Sequence, residues 1–349
     1  MVVDAAVHPS IATDEYLRRI PGPWRDHVMG LPTPLGRLWE SPIDEVPDLA
    51  AAGDPERVAE AVFAAGDVDA AILTPLTRGI LPNRLHASIV ASVTNEWLRE
   101  VFLDSPAGER FYGSIRVAPT DVEGAVREIE RWAGDPRFVQ VAVSLRAFAH
   151  YGEEQYLPIW EAACAHGLPI YVQDDLANAA EMWHSVAGPP GHWAEADTLR
   201  ALNSIVHLAS TMGSGLYQRL PGLRFVFGDG GLDLAPALLW RLNNDWRAGR
   251  GEVPWIEELP STLVQRYARF VCSQTDGRPD GETLDPELAR IGQPETFAIY
   301  GSHHPHWDGA TRAEAVEGLD EEGAARVLAG NVLDVTPRLA AALGVEAAA

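Results

Sequence analysis

The segment FYGSIRVAPTDVEGAVREIERWAGDPRFVQVAVSL, residues 111–145, reads as strand, helix and strand in chain order. Its flanking runs, FYGSIRVAP (111–119) and FVQVAVSL (138–145), are short and nearly continuously apolar, as strands covered on both faces must be. Between them, charged and apolar residues interleave at helical spacing, after a Thr or Asp cap and up to a stop near Gly134. Two strands joined by a helical crossover lie parallel.

The same unit repeats in both directions. Further apolar runs occupy residues 2–8, 68–75, 168–173, 224–230, 269–274 and 297–303, which brings the total to eight. Helical stretches separate them: DPERVAEAVFAAG, EEQYLPIWEAACAHG (with Tyr156, Ile159, Trp160, Ala163 and Cys164 on one face, ending at Gly167), EADTLRALNSIVHLASTMGSGLYQRLPG and DLAPALLWRLNNDWRAG. Eight β/α units predict one α/β domain over residues 1–343, a (β/α)8 TIM-like barrel, with an Ala-rich tail over 344–349 that frays. An open doubly wound sheet is the rival, but no Gly-rich dinucleotide fingerprint follows an early strand. Extra segments are expected at residues 24–47, 83–104 and 182–192. The last, MWHSVAGPPGHW, reads as a loop over the strand C-terminal ends.

The formal charge of −23 repels polyphosphates, and no basic cluster offsets it, which argues against nucleic-acid or anionic-membrane partners and leaves a small-molecule substrate. No stretch approaches the length of a membrane span, and two cysteines, Cys164 and Cys272, read as free buried thiols of a cytoplasmic protein. The chain contains no lysine, so Schiff-base chemistry, a carbamylated-lysine metal bridge and a lysine phosphate loop are all excluded. Arginine alone supplies cationic recognition.

In a barrel of this kind the chemistry sits where strands end. Those ends carry His8, Arg116, Arg146, Gln173 and Asp229, and then SHHPHWD with His303, His304 and His306. The first and eighth strands adjoin in a closed barrel, so His8 and His303 are expected to converge. Asp229, between apolar Phe227 and paired glycines, needs an arginine, a histidine or a metal as partner if buried, a structural ion pair being the plain alternative. Arg116 and Arg146 are carboxylate clamps or ordinary salt bridges. His306 either touches substrate or supports its loop. His192 lies in the Pro/Gly loop as lid or surface, and Trp183 there, with Trp193 and Trp307, suits an aromatic wall or core packing.

VVDAAVHPS, YLPIWEAACAHGLPIYVQ, LPGLRFVFGDGGLDLAPALLWRLNNDWR, EVPWIEELPS and IYGSHHPHWD together resemble the amidohydrolase-related branch of aminocarboxymuconate-semialdehyde decarboxylase type. That resemblance covers nearly the whole chain in order. It implies a barrel that hydrolyses or decarboxylates small molecules through one zinc or manganese and an eighth-strand aspartate, often as a dimer, and a substrate-facing role for His207. Against that pattern, Ala6 stands at a first-strand ligand position, Gln173 at the fifth-strand histidine, Asp229 where His or Glu is frequent, and His303 at the aspartate. Two readings follow. In one, His8, Asp229 and His303, with His192 or His207 as further donors, rebuild a zinc or manganese site. In the other no metal or cofactor is present, and His303 with Asp229 or His8 performs acid/base chemistry of lyase, decarboxylase, dehydratase or cyclase type, with Gln173 as a polar substrate contact. The second is preferred, because two positions became non-ligands while one gained an imidazole. A non-catalytic ligand-binding barrel is the remaining class.

Overall fold

A computed structural model describes residues 1–29, 51–64, 67–77, 81, 83–174, 192–272, 293–306 and 309–345. The strands are β1 (Val3–Val7), β2 (Ala70–Leu73), β3 (Phe111–Arg116), β4 (Phe138–Ser144), β5 (Ile170–Gln173), β6 (Phe225–Phe227), β7 (Ala268–Val271) and β8 (Ala298–Ile299). All pair in parallel in sequential order. The ring closes through backbone bonds: Ala5 N–H donates to Tyr300 O (3.0 Å), His8 N–H donates to His304 O (2.7 Å), and Val7 lies opposite His304. Each of the eight apolar runs thus becomes a barrel strand.

The sequence sets which way strand residues face. On β5, Ile170 and Val172 join the cluster that contains Ile159 and Trp160 of the helix Leu157–Ala165. Tyr171, between them, packs instead with Ala6, Ile72, Ala142, Val226, Val271 and Ile299, which are strand residues turned into the lumen. Val332, Leu333 and Leu339 from the helices Asn331–Val335 and Pro337–Ala342 join that inner cluster. They plug the end where strands begin, since Arg338 Nη2 donates to the carbonyl of Asp135 just ahead of β4 (2.9 Å). Gly301 has to be small: a Cβ there would lie 2.6 Å from both Ala6 Cβ and Val271 Cγ1.

The crossover after β3 is the predicted helix, Val122–Trp132, with Asp121 accepting from Gly124 N–H at its start. The helix Leu157–Ala165 is followed by Gly167 at φ +64°, as its sequence signal implies. Residues 83–104 are not an insertion. Asn83 caps the helix Arg84–Trp97, which continues as a π-helical turn Leu98–Leu103 and forms the β2-to-β3 crossover. The fold also extends past residue 343, because Val345 N–H donates to Ala340 O (2.9 Å) and Val345 packs on the inner cluster. Cys272 is buried and Cys164 half-buried, and neither forms a disulfide among the described residues. Among the described residues no helix is long and apolar enough to cross a membrane.

Candidate active site

The C-terminal rim of the barrel begins at the β8–β1 junction. His8 directly follows β1 and is 2% exposed, and His303 follows β8 with the same exposure. Their rings meet edge to face at 5.4 Å between centroids, and the His306 ring lies 5.7 Å from His8 on another side. The turn is tight: His306 N–H donates to His303 O (2.6 Å), and His303 adopts φ +54°, a left-handed conformation that histidine tolerates better than most residues.

The protonation of His8 follows from its surroundings. Burial, and then the neighbouring His303 and His306, hold its pKa well below the usual imidazole range, so the ring is neutral near pH 7. Its Nδ1 lies 3.1 Å from the carbonyl of Thr74, which can only accept, so Nδ1 carries the proton and Nε2 has the lone pair. Thr74 belongs to a polar layer in which its hydroxyl meets Ser114 Oγ (2.7 Å), and Gln140 Nε2 donates to Ser114 Oγ (2.8 Å) and to Thr74 Oγ1 (3.3 Å).

Asp4 was absent from the sequence-derived site, yet it organises the junction. It is 1% exposed, and its Oδ1 accepts from Ala6 N–H (3.2 Å) and from Ser302 N–H (2.9 Å), the residue before His303. Burial raises its pKa, and hydrogen bonds from Ser302 and Ala6 and the charge of His303 oppose that rise. Its signal was a carboxylate inside the otherwise apolar VVDAAV run.

On the opposite arc, Asp229 Oδ2 accepts from Asp174 N–H (2.6 Å), and the Asp174 carboxylate pairs with Arg146 Nη2 (2.7 Å). Arg146, Asp174 and Asp229 therefore link the ends of β4, β5 and β6. This places Arg146 in a nearly buried ion pair rather than in an exposed one. Arg116, 1% exposed, ends β3, where Asn95 grips both its N–H (2.7 Å) and its carbonyl (2.8 Å). The Arg116 charge acts on both His8 and Tyr171, which marks it as a cation of the lumen. Gln173 is 1% exposed, and neither atom of its amide has a hydrogen-bond partner among the described residues.

Other expected residues serve elsewhere. His207 contacts the Leu145 carbonyl through Nε2 (2.8 Å), accepts from Tyr151 N–H at Nδ1 (3.2 Å) and stacks on the Tyr151 ring at 4.1 Å. Both nitrogens are thus committed to backbone, and burial brings its pKa down to about 4. It ties the loop after β4 to the helix Trp193–Gly213. His192 is exposed at the start of that helix. Trp183 and Trp307 lie outside the described residues.

The donors that the described residues bring to the rim do not by themselves make up a zinc or manganese site. Among the described residues no three His, Cys, Asp or Glu side chains converge as ligands, so His8, Asp229 and His303 do not form the alternative metal triad there. A neutral glutamine amide occupies the fifth-strand position, and one Asp229 oxygen already holds the Asp174 N–H.

The amidohydrolase family profile matches residues 67–349. The gamma-resorcylate decarboxylase of Polaromonas sp. strain JS666 is 30% identical over 226 residues, a match covering 59% of this chain and 64% of that relative, under two thirds of its length. Among solved structures, an amidohydrolase from Mycobacterium avium subsp. paratuberculosis K-10 superposes with a TM-score of 0.69 at 17% identity, covering 96% of this chain and 98% of the other. A dihydroxybenzoic acid decarboxylase from Polaromonas sp. JS666, with bound manganese and the inhibitor 2-nitroresorcinol, superposes with a TM-score of 0.63 at 22% identity over 97% of each chain. Those two structures share the barrel fold, and with the profile match covering most of its length the chain belongs to the amidohydrolase family.

Proposed function

We propose that this chain is a lyase of decarboxylase type that acts on a small carboxylated substrate and moves protons with histidine rather than through a resident metal. The observation that carries the reading is the buried pair of His8 and His303, 5.4 Å apart, with the His8 tautomer fixed by Thr74. The decarboxylase relative supports the reaction type.

In this reading the carboxylate enters beside the buried Arg116, whose planar fork suits two oxygens. Protonated His303 donates to the unsaturated carbon that bears the carboxylate, forming the new C–H bond. The C–C bond then breaks, its electron pair restores the double bond, and carbon dioxide leaves. His303 regains its proton from water. Neutral His8, with its lone pair on Nε2, accepts a hydrogen bond from a substrate hydroxyl or from His303 and keeps that ring oriented. Asp4 holds the loop of His303 in place through Ser302, and Asp229 does the same for the loop after β5 through Asp174.

The test is carbon dioxide release from a panel of unsaturated and aromatic carboxylates, with elemental analysis of untagged protein. Turnover at substoichiometric metal, unaffected by chelator and abolished in His303→Asn, is expected. A specific observation favours one other reading, since a structurally similar decarboxylase holds manganese. Close to one zinc or manganese per chain, with chelator-sensitive turnover, would replace the metal-free proposal by that one. Tight ligand binding unchanged in His303→Asn, without turnover, would favour a non-catalytic barrel.

A further inference from the structure

Two polar side chains inside the barrel carry atoms without a hydrogen-bond partner among the described residues. Tyr171 is completely buried, and its hydroxyl has no hydrogen-bond partner among the described residues. Two residues along β5, on the same lumen face, Gln173 leaves both its Oε1 and its Nε2 unpartnered among the described residues. The hydroxyl lies against Gly228, just past the end of β6: a Cβ at Gly228 would stand 2.4 Å from it, so any larger residue there would displace the phenol. Buried polar groups without partners destabilise a fold, and native proteins keep them where something else completes the bonding.

We propose that Tyr171 and Gln173 form a specificity element that reads one substrate edge, a carbonyl-type oxygen flanked by an N–H or O–H. The chemistry of the donors sets this class. The Tyr171 O–H and Gln173 Nε2–H need an acceptor, whereas Gln173 Oε1 needs a donor. A bare carboxylate offers acceptors only and leaves Oε1 unsatisfied; an amide, a lactam or a hydroxy-carbonyl group satisfies the whole set. The inference rests on the strand C-terminal rim being the substrate site, but it does not require the histidine mechanism.

Benzamide and acetophenone test it, because they are both neutral and nearly isosteric and differ in having NH2 or CH3 beside the carbonyl. Calorimetric titration of the full chain is expected to give benzamide about tenfold tighter binding, the scale for one donor to a buried acceptor. Gln173→Met should bring the two affinities together. Tyr171→Phe should weaken both while keeping their ratio. Ligand-free Gln173→Met and Tyr171→Phe should each melt at a higher temperature than the parent, since an unpartnered polar group has been removed. Binding of neither probe, a parent ratio near one, or a lowered melting temperature in either variant overturns the proposal. Discrimination without turnover leaves this element standing and counts against the lyase reading. Turnover without discrimination does the reverse.

Discussion

Asn95 offers a stability test of how the rim is held. It is completely buried on the helix Arg84–Trp97; its Oδ1 accepts from Arg116 N–H (2.7 Å), and its Nδ2 donates to Arg116 O (2.8 Å) and to Glu128 Oε1 (3.0 Å). Asn95→Ala strands the amide and the carbonyl of Arg116 inside the protein. Glu128 keeps the Trp132 indole N–H (2.7 Å) and loses less. Two orphaned backbone groups at about 1–3 kcal/mol each give an expected loss of about 2–6 kcal/mol, the lower end applying if water enters. Urea denaturation monitored by circular dichroism should show the midpoint falling by that loss divided by the slope, with the slope unchanged. Asn95→Asp keeps the acceptor but places a carboxylate beside Glu128. Burial and that neighbour would raise the new group's pKa, so this variant should recover part of its loss between pH 7 and pH 5. A loss below about 2 kcal/mol for Asn95→Ala, the smallest value the two lost bonds permit, would refute the claim that Asn95 fixes the end of β3.

Further outcomes follow from other contacts. The His207 pKa stands at about 4, below the ordinary 6.5, so the unfolded chain binds its proton first: stability is full above about pH 6.5 and falls toward pH 4, by up to about 1.4 kcal/mol per pH unit, and His207→Gln should flatten the melting-temperature profile in that window. Gly301→Ala forces a methyl against Ala6 and Val271 and should cost about 1–3 kcal/mol in chemical denaturation; Ala6→Gly should restore only part of it, because Val271 remains. His303→Asn should melt close to the parent, since Asn tolerates the left-handed φ of +54°, whereas His303→Val should melt several degrees lower because a β-branched residue is strained there.

The barrel was legible because strands covered on both faces must be apolar along their length, and because residues such as Gly167 mark where helices stop. The β8–β1 histidines were legible for a related reason: closure makes the first and last strands neighbours, and His8 and His303 end them. Asp4 and Tyr171 were missed because a fully buried strand hides its alternation, so the sequence does not say which residues face the lumen. The Asp174 link between Arg146 and Asp229 was equally hidden, since it joins three strands through one carboxylate and one backbone amide. The substrate-facing role of His207 came from its family position alone, and the fold uses both of its nitrogens to hold backbone.

If the site lost its metal through its substituted positions, restoring donors at two of them, 173 and 303, should restore binding. His8 is already in place with Nδ1 bonded to Thr74, the backbone bond that typically orients a metal-binding imidazole and leaves Nε2 to ligate. Gln173→His with His303→Asp would add an imidazole and a carboxylate on β5 and after β8, giving two imidazoles and a carboxylate with room for water. The replacement at 303 is compatible with the backbone, because aspartate also tolerates positive φ. It also removes an imidazole that, after burial, depresses the pKa of His8; His8 then holds a proton somewhat more readily, while charge repulsion is smaller once an ion binds. Titration with zinc in a competing chelator is expected to give close to one ion per double-variant chain and a substoichiometric value for the parent. Equal uptake by the two proteins would show that these positions do not decide metal binding, and the histidine mechanism would lose its structural motive.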